Sequence, residues 1–256
     1  MSFIMRPIRF ASTGHIIEGS GLWASTGTNH LTKTFASAAA NRTTFTVESI
    51  FKLTALPTFS TLWGYDGGGY TYGTYCLIRS TGVMEVHFNG SSDGHVLVTP
   101  LFRDFGVYYH LVINVDTSQA TATNRVRVYV DGTQLALTVG GNGWPSRNYA
   151  TDFGQAGTVC YIGDRDSVSG TSPLRGYYGR VSVYENQRYE ATEFGEVADD
   201  GSWQINDASG LTFGTNGFLI EGGTDMAAGT DSSGNSNNFS KTGTITSNTD
   251  SPTGDA

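Results

Sequence analysis

The chain has 256 residues, enough for one large β domain or two small ones. Charged residues make up only 15% of it, whereas 34 residues are glycine and 12% are aromatic, a balance typical of many short strands joined by tight turns. The formal net charge of -8 excludes a non-specific nucleic-acid binder and disfavours an anionic membrane surface, because both partners require a basic face.

The N-terminal stretch MSFIMRPIRFASTG has no charged region ahead of an apolar run, and Pro7 interrupts it, so no secretory signal is predicted. No apolar run reaches the roughly 18 residues of a membrane span. We therefore expect a chain made as a soluble protein in the cytoplasm. Cys76 and Cys160 fit neither a disulfide framework nor zinc-ligand spacing, so two half-buried free thiols are expected, with a single bridge as the alternative.

Alternation of apolar and polar residues predicts strands along most of the chain. It is clearest over 42–53, where Phe45, Val47, Phe51 and Leu53 share one face while Thr44, Thr46, Glu48 and Lys52 share the other. Further strands are predicted over 61–65, 75–79, 83–88, 95–99, 107–116, 125–130, 133–138, 158–163 and 176–184, with weaker candidates at 8–10, 31–35 and near Phe218. About a dozen strands without βαβ alternation predict two antiparallel sheets packed face to face.

Local signals between these strands are few. Asp131-Gly132 is a two-residue hairpin signal after the strand 125–130. Helices are nearly absent, and one helical turn is expected over 192–196, with Thr192 as its cap.

Signatures of catalysis are absent from the sequence: there is no nucleophile elbow, phosphate loop or dinucleotide fingerprint. A glycosidase built on a β-sandwich needs two carboxylates that converge across a groove. The strand candidates provide only Glu48 and Glu85, each alone on its strand. Asp164 and Asp166 stand two residues apart, but they begin a loop and need not share a face. A non-catalytic protein is therefore expected.

Two sets of residues have the chemistry of metal ligands. Asp164 and Asp166 are the speculative calcium ligands, although calcium needs 6–8 oxygen atoms and other loops would have to contribute. His87 and His95 flank a predicted hairpin and are expected to be neighbours. A zinc pair and a pair of surface histidines both fit this spacing, and the second is the more common arrangement.

Two groups of aromatic and polar residues are the candidate ligand-binding positions. The first group is Trp63, Tyr65, Asp66, Tyr70, Tyr72 and Tyr75. The second group is Trp144, Arg147, Asn148 and Tyr149. A sugar stacks its apolar face on an aromatic ring and bonds its hydroxyls to nearby polar groups, and tyrosine and tryptophan also anchor protein interfaces. Both a glycan and a protein neighbour therefore fit these groups.

Longer segments resemble a known family. LTKTFASAAANRTTFTVESIFKL is similar to the opening, and YYHLVINVDTSQATATNRVRVYVDGTQL to the middle, of concanavalin A-like, laminin-G-like jelly-roll domains of phage virion proteins. LRGYYGRVSVYENQRYEATEFGEVADDGSW and DSSGNSNNFSKTGTITSNTDSPT are similar to their later phrases. The resemblance, over roughly residues 30–252, implies an all-β, two-sheet antiparallel jelly-roll sandwich of the concanavalin A-like lectin/glucanase type. It also implies a role in a tail fibre, tail tip or capsid-decorating protein.

The extent of the resemblance and the change in composition divide the chain into three predicted segments. These are an N-terminal attachment segment (1–28), the β-sandwich (29–221) and a Gly/Ser/Asn-rich C-terminal strap (222–256). In isolation the strap sequence DSSGNSNNFS would be disordered, because Phe239 is its one apolar residue. As a closing phrase of the family it is expected to be ordered. Asp231, Asn235 and Asn238 would bond to backbone turns, and Phe239 would fill an apolar site.

The resulting hypothesis is a non-catalytic phage virion structural protein, whose lectin-like domain is displayed on the particle. Its expected partners are other virion proteins, further copies of itself and, as an added activity, a host surface glycan. Nucleic acid and membranes are not expected partners, and no cofactor is expected apart from the calcium considered above. The alternatives are a polysaccharide-degrading enzyme on the same fold and a free carbohydrate-binding module, which would be a monomer with a flexible tail.

Overall fold

The computed structural model describes residues 14–24, 28–66, 73–89, 93–99, 101–165 and 172–254. Within these ranges the chain forms two antiparallel sheets of eight strands each and one two-stranded sheet. The predicted two-sheet antiparallel jelly-roll sandwich is confirmed. No helix of the described part is long and apolar enough to cross a membrane.

Sheet A contains β1 (Ser20–Trp23), β3 (Thr44–Leu53), β8 (Tyr109–Asp116), β9 (Val126–Val130), β10 (Thr133–Gln134), β13 (Gly176–Glu185), β16 (Phe218–Glu221) and β18 (Ile245–Asn248). Its strand order is β10-β9-β8-β3-β13-β1-β18, and β16 pairs with β13. The central strand β3 therefore lies between β8 and β13.

Sheet B contains β2 (His30–Thr34), β4 (Phe59–Asp66), β5 (Gly73–Arg79), β6 (Met84–Phe88), β7 (Gly94–Thr99), β11 (Ala136–Val139), β12 (Val159–Ile162) and β17 (Ser240–Thr242). Its strand order is β11-β7-β6-β5-β4-β12-β2-β17. The remaining elements are the two-stranded sheet β14 (Gly195–Val197) and β15 (Trp203–Ile205), the short helix α1 (Gly222–Ala228) and two 3-10 helices, Ala122–Asn124 and Ala191–Glu193.

The main core lies between sheets A and B, and it is built from the predicted alternation. Phe45, Val47, Phe51 and Leu53 of β3 all point into it, as predicted. Cys76 and Cys160 also lie in it as free thiols, fully buried rather than half-buried. Burial raises the pKa of the Cys160 thiol to about 12, so it stays protonated at neutral pH.

The outer face of sheet A is covered, which the alternation did not predict. Thr46 and Glu48 on the polar face of β3 are fully buried. A second apolar cluster lies over this face, and it includes Ile17, Ile50, Tyr184 and many residues between 191 and 219. Period-two alternation shows that a strand has two different faces, but it does not show that the polar face of β3 is covered, mostly by residues 191–219, which are distant in the sequence.

The local signals are confirmed in part. Asp131 and Gly132 both have positive φ values, 48° and 75°, as a type I′ hairpin between β9 and β10 requires. The expected helical turn is a 3-10 helix over Ala191–Glu193, so it begins one residue earlier than predicted. Thr192 lies inside this helix and is therefore not its cap, and Glu190, which precedes the helix, makes no side-chain cap bond. The weaker strand candidate at 31–35 corresponds to β2, whereas the one at 8–10 lies outside the described residues.

The ends of the described chain belong to the sandwich. Strand β1 lies in sheet A between β13 and β18, although it falls within the segment predicted for attachment. In the C-terminal segment, β17 pairs with β2 at the edge of sheet B, and β18 pairs with β1 in sheet A. This segment therefore contributes a strand to each sheet. An attachment role for residues 1–28 stays a prediction.

The contacts predicted for the stretch 231–240 are confirmed. The Asp231 carboxylate accepts hydrogen bonds from the backbone N–H groups of Leu219 and Ser233. Asn235 donates to two backbone carbonyls, those of residues 214 and 217, and the side-chain oxygen of Asn238 accepts from the Asp231 N–H. Phe239 is 5% exposed, and its ring meets the Phe218 ring edge-on at 4.7 Å.

Candidate functional site

A row of three stacked rings lies on the outer face of sheet B. Side chains alternate across a strand, so the neighbours of core residues such as Val86 point away from the core. Tyr75 on β5 is paired with His87 on β6, and His87 is paired with His95 on β7. The ring centroids are 4.5 Å apart for Tyr75 and His87 and 4.1 Å apart for His87 and His95. Tyr75, His87 and His95 are called the ring row.

The carboxylate of Glu85 joins the two histidines of the ring row. Its Oε2 atom lies 2.9 Å from Nε2 of His87 and 3.3 Å from Nε2 of His95. Its Oε1 atom accepts a hydrogen bond from Nε of Arg79. The side chains of Glu85 and His87 are 4% and 6% exposed, whereas that of His95 is 12% exposed. The cluster is thus nearly buried but is reached from solvent at His95.

The charge states follow from these contacts. Burial raises the pKa of Glu85, but the hydrogen bonds from His87 and Arg79 and the close contact with His95 outweigh burial and hold that pKa well below the usual range of a carboxyl. Burial lowers the pKa of His87, and its bond to Glu85 offsets this only in part. An ionised carboxylate only accepts hydrogen bonds, so His87 carries its proton on Nε2. The cluster is therefore an ionised Glu85 beside a neutral His87.

Two arginines lie near the ring row. The guanidinium of Arg165 is 5.3 Å from the ring centroid of Tyr75 and 5.5 Å from that of Phe59. Arg79 also lies over Phe59, at 5.3 Å. The chain at Arg165 crosses directly over Gly64 of β4, where a Cβ atom would come 3.0 Å from the Arg165 Cα. The absence of a side chain at position 64 is what allows this crossing.

The first predicted aromatic group is divided by the fold. Trp63 and Tyr65 are each 1% exposed and belong to the main core, where their rings pack against Phe45 and Phe153. From these positions neither ring is accessible to a ligand, so both are reassigned to the core. The reason is that β4 has a bulge between Thr61 and Trp63, after which both rings share the face of Cys76.

The other members of that group have different positions. Asp66 is partly exposed at the end of β4. Tyr75 is a member of the ring row and is 6% exposed. Tyr70 and Tyr72 lie outside the described residues, and their role stays a prediction.

The second predicted group lies on an ordered loop. Trp144 and Tyr149 are half-buried and pack against the main core. Arg147 and Asn148 are exposed. Asn148 has a φ of 61°, a conformation that asparagine tolerates better than most residues, and its backbone N–H donates to the Thr117 carbonyl at 2.8 Å. The loop is therefore fixed at the position where its two polar side chains reach solvent.

The two predicted groups meet at one end of the sandwich. Thr74, at the start of β5, donates its hydroxyl to the Asp152 carboxylate at 3.3 Å. Gly94, at the start of β7, lies so close to Pro145 that a Cβ atom there would be 2.6 Å from its nitrogen. The ends of β4 and β5 and the loop 142–152 are thus adjacent. The described residues Asp66, Trp144, Arg147, Asn148 and Tyr149 are called the loop rim.

The residues considered for calcium are only partly described. Asp164 is fully buried, its Oδ1 accepts from the backbone N–H of Arg165 at 2.9 Å, and its Oδ2 lies 3.9 Å from Nδ1 of His30. Asp166 lies outside the described residues. A calcium site at this loop stays a prediction.

The Glu85–His87–His95 cluster was missed from the sequence, although its parts were noticed. Glu85 was treated as a single carboxylate, and His87 and His95 as a pair. Positions 85 and 87 on one strand share a face. The hairpin register that pairs His87 with His95 then places all three side chains together. Considering the alternation of side chains along β6 together with the pairing of β6 and β7 would have identified the cluster.

Comparison with known proteins places the chain in a family. Residues 25–192 match the Laminin_G_3 model, described as concanavalin A-like lectin/glucanases superfamily, and the chain belongs to this family. A search of curated protein sequences finds no match to this chain.

Solved structures are similar to this fold at low sequence identity. A protein of Bacteroides ovatus, described as a candidate carbohydrate-binding protein, is 17% identical with a TM-score of 0.59, over 93% of this chain and 62% of that one. The chain thus spans less than two thirds of that protein. A heptameric SAP-like pentraxin of Limulus polyphemus is 16% identical with a TM-score of 0.46, over 66% and 77% of the two chains. The CBM40 domain of the Ruminococcus gnavus IT-sialidase, bound to α2,3-sialyllactose, is 15% identical with a TM-score of 0.48, over 70% and 97%.

Proposed function

We propose that the protein is a non-catalytic, lectin-like domain that binds a host surface glycan at the loop rim and is displayed on a phage particle. The observation that carries the glycan part is the loop rim itself. Two half-buried rings, Trp144 and Tyr149, stand beside the exposed polar groups Arg147 and Asn148 on one ordered loop. A sugar needs this combination, because its apolar face stacks on a ring while fixed polar groups bond to its hydroxyls.

Rigidity of the loop supports the assignment. The loop 142–149 is held to the neighbouring loop by backbone and side-chain bonds, among them Arg125 to the Pro145 carbonyl at 2.8 Å. Arg147 donates from Nε to the Ser118 carbonyl at 3.3 Å, which leaves its terminal nitrogens for a ligand. A preformed loop loses less conformational entropy on binding than a flexible one.

The state of Glu85 supports binding rather than catalysis. Glycoside hydrolysis uses one carboxyl group that stays protonated as the general acid and a second that is ionised. The contacts of Glu85 with two histidines and Arg79 keep its pKa low, so it is ionised at neutral pH and has no proton to give. Glu48, the other strand carboxylate considered, is fully buried under the second apolar cluster.

The virion part of the proposal rests on the sequence phrases that resemble phage virion domains. The expected partners are other virion proteins and further copies of this chain. Mass spectrometry of phage particles purified from the source cells tests this part by itself, since the protein should be present in stoichiometric amounts. Light scattering of the purified protein should show an oligomer, and a monomer would favour a free carbohydrate-binding module.

The glycan part is tested by substitution at the loop rim. Binding of the purified protein to a glycan array identifies the ligand, and its affinity is then measured by calorimetry. Trp144→Ala removes the larger ring and should weaken binding about tenfold or more. Phe105→Ala is the matched control, because Phe105 is 45% exposed. It belongs to the loop whose Phe102 N–H donates to the Gly82 carbonyl in the β5–β6 turn, at the opposite end of the strands.

Three results would contradict the glycan proposal. The first is an array without any bound glycan, and the second is equal affinity in the Trp144→Ala and Phe105→Ala variants. The third is release of shorter sugars from a bound polysaccharide, which would favour the enzyme alternative instead.

A further inference from the structure

We propose that Glu85, His87 and His95 form a binding site for a divalent transition-metal ion, with zinc as the occupant that its ligands fit best. One carboxylate oxygen and the nitrogens of the two imidazoles lie within 4.8 Å of one another. Two nitrogen donors with one carboxylate suit zinc, whereas calcium prefers an all-oxygen set. The proposal is independent of glycan binding at the loop rim.

The distances between the donor atoms are close to those of a zinc site. Two ligand atoms that are each about 2.0–2.1 Å from a tetrahedral zinc lie roughly 3.4 Å apart. Oε2 of Glu85 lies 2.9 Å from Nε2 of His87 and 3.3 Å from Nε2 of His95. The backbone register of the β6–β7 hairpin fixes these positions, so little rearrangement of the main chain is needed to bind the ion.

Binding the ion would change the two rings in a defined way. In the present arrangement the imidazoles of His87 and His95 stack with an interplanar angle of 23°. A metal ion is bound in the plane of each ring, so the two rings must rotate out of their parallel stack until both Nε2 lone pairs converge. The Nε2 proton of each ligating imidazole must also leave or move to Nδ1. Loss of the stack is thus a direct signature of loading.

The surroundings fit a three-ligand site with an open position. Arg79 already holds Oε1 of Glu85, so Oε2 is the oxygen left to bind the ion. Three protein ligands leave a fourth tetrahedral position for water or another oxygen ligand. His95, with 12% of its side chain exposed, provides the solvent-facing side of the site.

The decisive experiment is zinc titration of the full chain, purified without a polyhistidine tag and treated with a chelator. Calorimetry should show one zinc ion per chain. His95→Asn changes the most exposed of the three ligands and should weaken binding about tenfold or more. His15→Asn is the matched control, because His15 also contacts a glutamate, with Nε2 2.6 Å from Glu221 Oε1, but does so outside the cluster.

A second measurement does not depend on any variant. Zinc is diamagnetic, so the imidazole NMR signals of the five histidines can be followed during the titration. The signals of His87 and His95 should shift in step with binding, while those of His15, His30 and His110 stay in place. Glu85→Gln, which keeps the shape of the side chain and removes its charge, should abolish the shift in a chain whose circular dichroism is unchanged.

Three outcomes would overturn the proposal. Absence of zinc binding to the folded chain is the first. The second is equal zinc affinity in the wild type and the His95→Asn variant, because the ion would then bind elsewhere. The third is a titration in which the signals of His87 and His95 keep their positions.

Discussion

The two sheets of the sandwich each place a glutamate on the face turned away from the main core, and the two glutamates have the same kinds of partner. Glu48 in sheet A contacts Arg180 and His110, both at 3.0 Å. Glu85 in sheet B contacts Arg79, His87 and His95. The difference lies in what covers them.

The glutamate of sheet A is sealed beneath the second apolar cluster. The side chains of Glu48, Arg180 and His110 are all 0% exposed. The Trp203 side chain closes the network by donating its Nε1–H to Nδ1 of His110 at 2.8 Å. Ser182 donates its hydroxyl to Oε2 of Glu48 at 2.6 Å, so each carboxylate oxygen has a donor. A carboxylate that is buried and fully hydrogen-bonded in this way contributes to the stability of the fold.

The glutamate of sheet B keeps a route to solvent. Arg79 is 41% exposed and His95 is 12% exposed, so water reaches both sides of the cluster. The comparison indicates that the same donor set stabilises the fold when it is sealed and can hold a ligand when it is open. Substitution of one side chain at a time, in the Glu48 network of sheet A and in the Glu85 cluster of sheet B, tests this difference.

Arg180→Met should produce the largest effect, because it leaves the Glu48 carboxylate buried without its guanidinium. Removal of one partner from a buried ion pair costs about 3–5 kcal/mol. The free energy of unfolding is measured by urea titration. The control is Arg127→Met, whose partner Glu190 is 41% exposed, and which should cost about 1 kcal/mol or less. Equal losses in the two variants would contradict a sealed network.

Acid should unfold the protein partly through Glu48. Burial raises the pKa of Glu48, but Arg180, His110 and Ser182 outweigh it and lower that pKa from 4.5 to about 2. The stabilisation is complete above pH 4.5, the value in the unfolded chain, and is lost as the pH falls towards 2. The loss is at most on the order of 3 kcal/mol. Unfolding free energies measured across this range should fall less steeply in Glu48→Gln, and parallel curves would contradict the assignment.

Much of the fold could be predicted from the sequence because alternation is a local signal. The face shared by Phe45, Val47, Phe51 and Leu53 follows from period-two spacing. The Asp131-Gly132 turn follows from its need for positive φ. The tail contacts follow from the ability of Asp231 and the asparagines to replace backbone bonds. The first two predictions depend on residues close together in the sequence, whereas order in the tail was expected from the family resemblance.

The parts that could not be predicted depend on contacts distant in sequence. Glu48 looks like a solvent-facing residue until the cover formed by residues 191–219 is known. Trp63 and Tyr65 look like ligand-binding residues beside a glycine-rich loop until the bulge in β4 turns them into the core. The alternation of residues distinguishes the two faces of a strand, but it does not say what each face packs against.

Arg79→Met should have a modest effect, and it is the counterpart of Arg180→Met in the open cluster. Glu85 keeps its contacts with His87 and His95 when the guanidinium is removed. Water also reaches the vacated side, so the expected cost is about 1 kcal/mol. Urea titration of the two variants side by side tests the comparison directly. A loss in Arg79→Met as large as that in Arg180→Met would show that the sheet B cluster is sealed as well.

Asp131→Asn should have the smallest effect, and it should stabilise the protein. Asp131 lies in the turn between β9 and β10 of sheet A, and its Oδ1 accepts a hydrogen bond from the backbone N–H of His110 at 3.1 Å. This donor is neutral, whereas Glu48 has the positively charged guanidinium of Arg180 as a partner. Burial therefore prevails and raises the pKa of Asp131 from 3.8 to about 7, with the His110 N–H opposing it in part.

The sign of this effect is opposite to that of Glu48. Protonated Asp131 is the form that the folded state favours, so its contribution is present below pH 3.8 and is lost as the pH rises through about 7. Asparagine keeps the acceptor oxygen, tolerates the φ of 48° at this position and carries no charge to bury. The full shift of the pKa would correspond to roughly 4 kcal/mol, but Asp131 is partly exposed and screening by solvent reduces this value. The variant should match the wild type near pH 4 and exceed its unfolding free energy by about 1 kcal/mol at pH 8. The same difference at both pH values would mean that turn conformation, rather than a buried charge, separates the two chains.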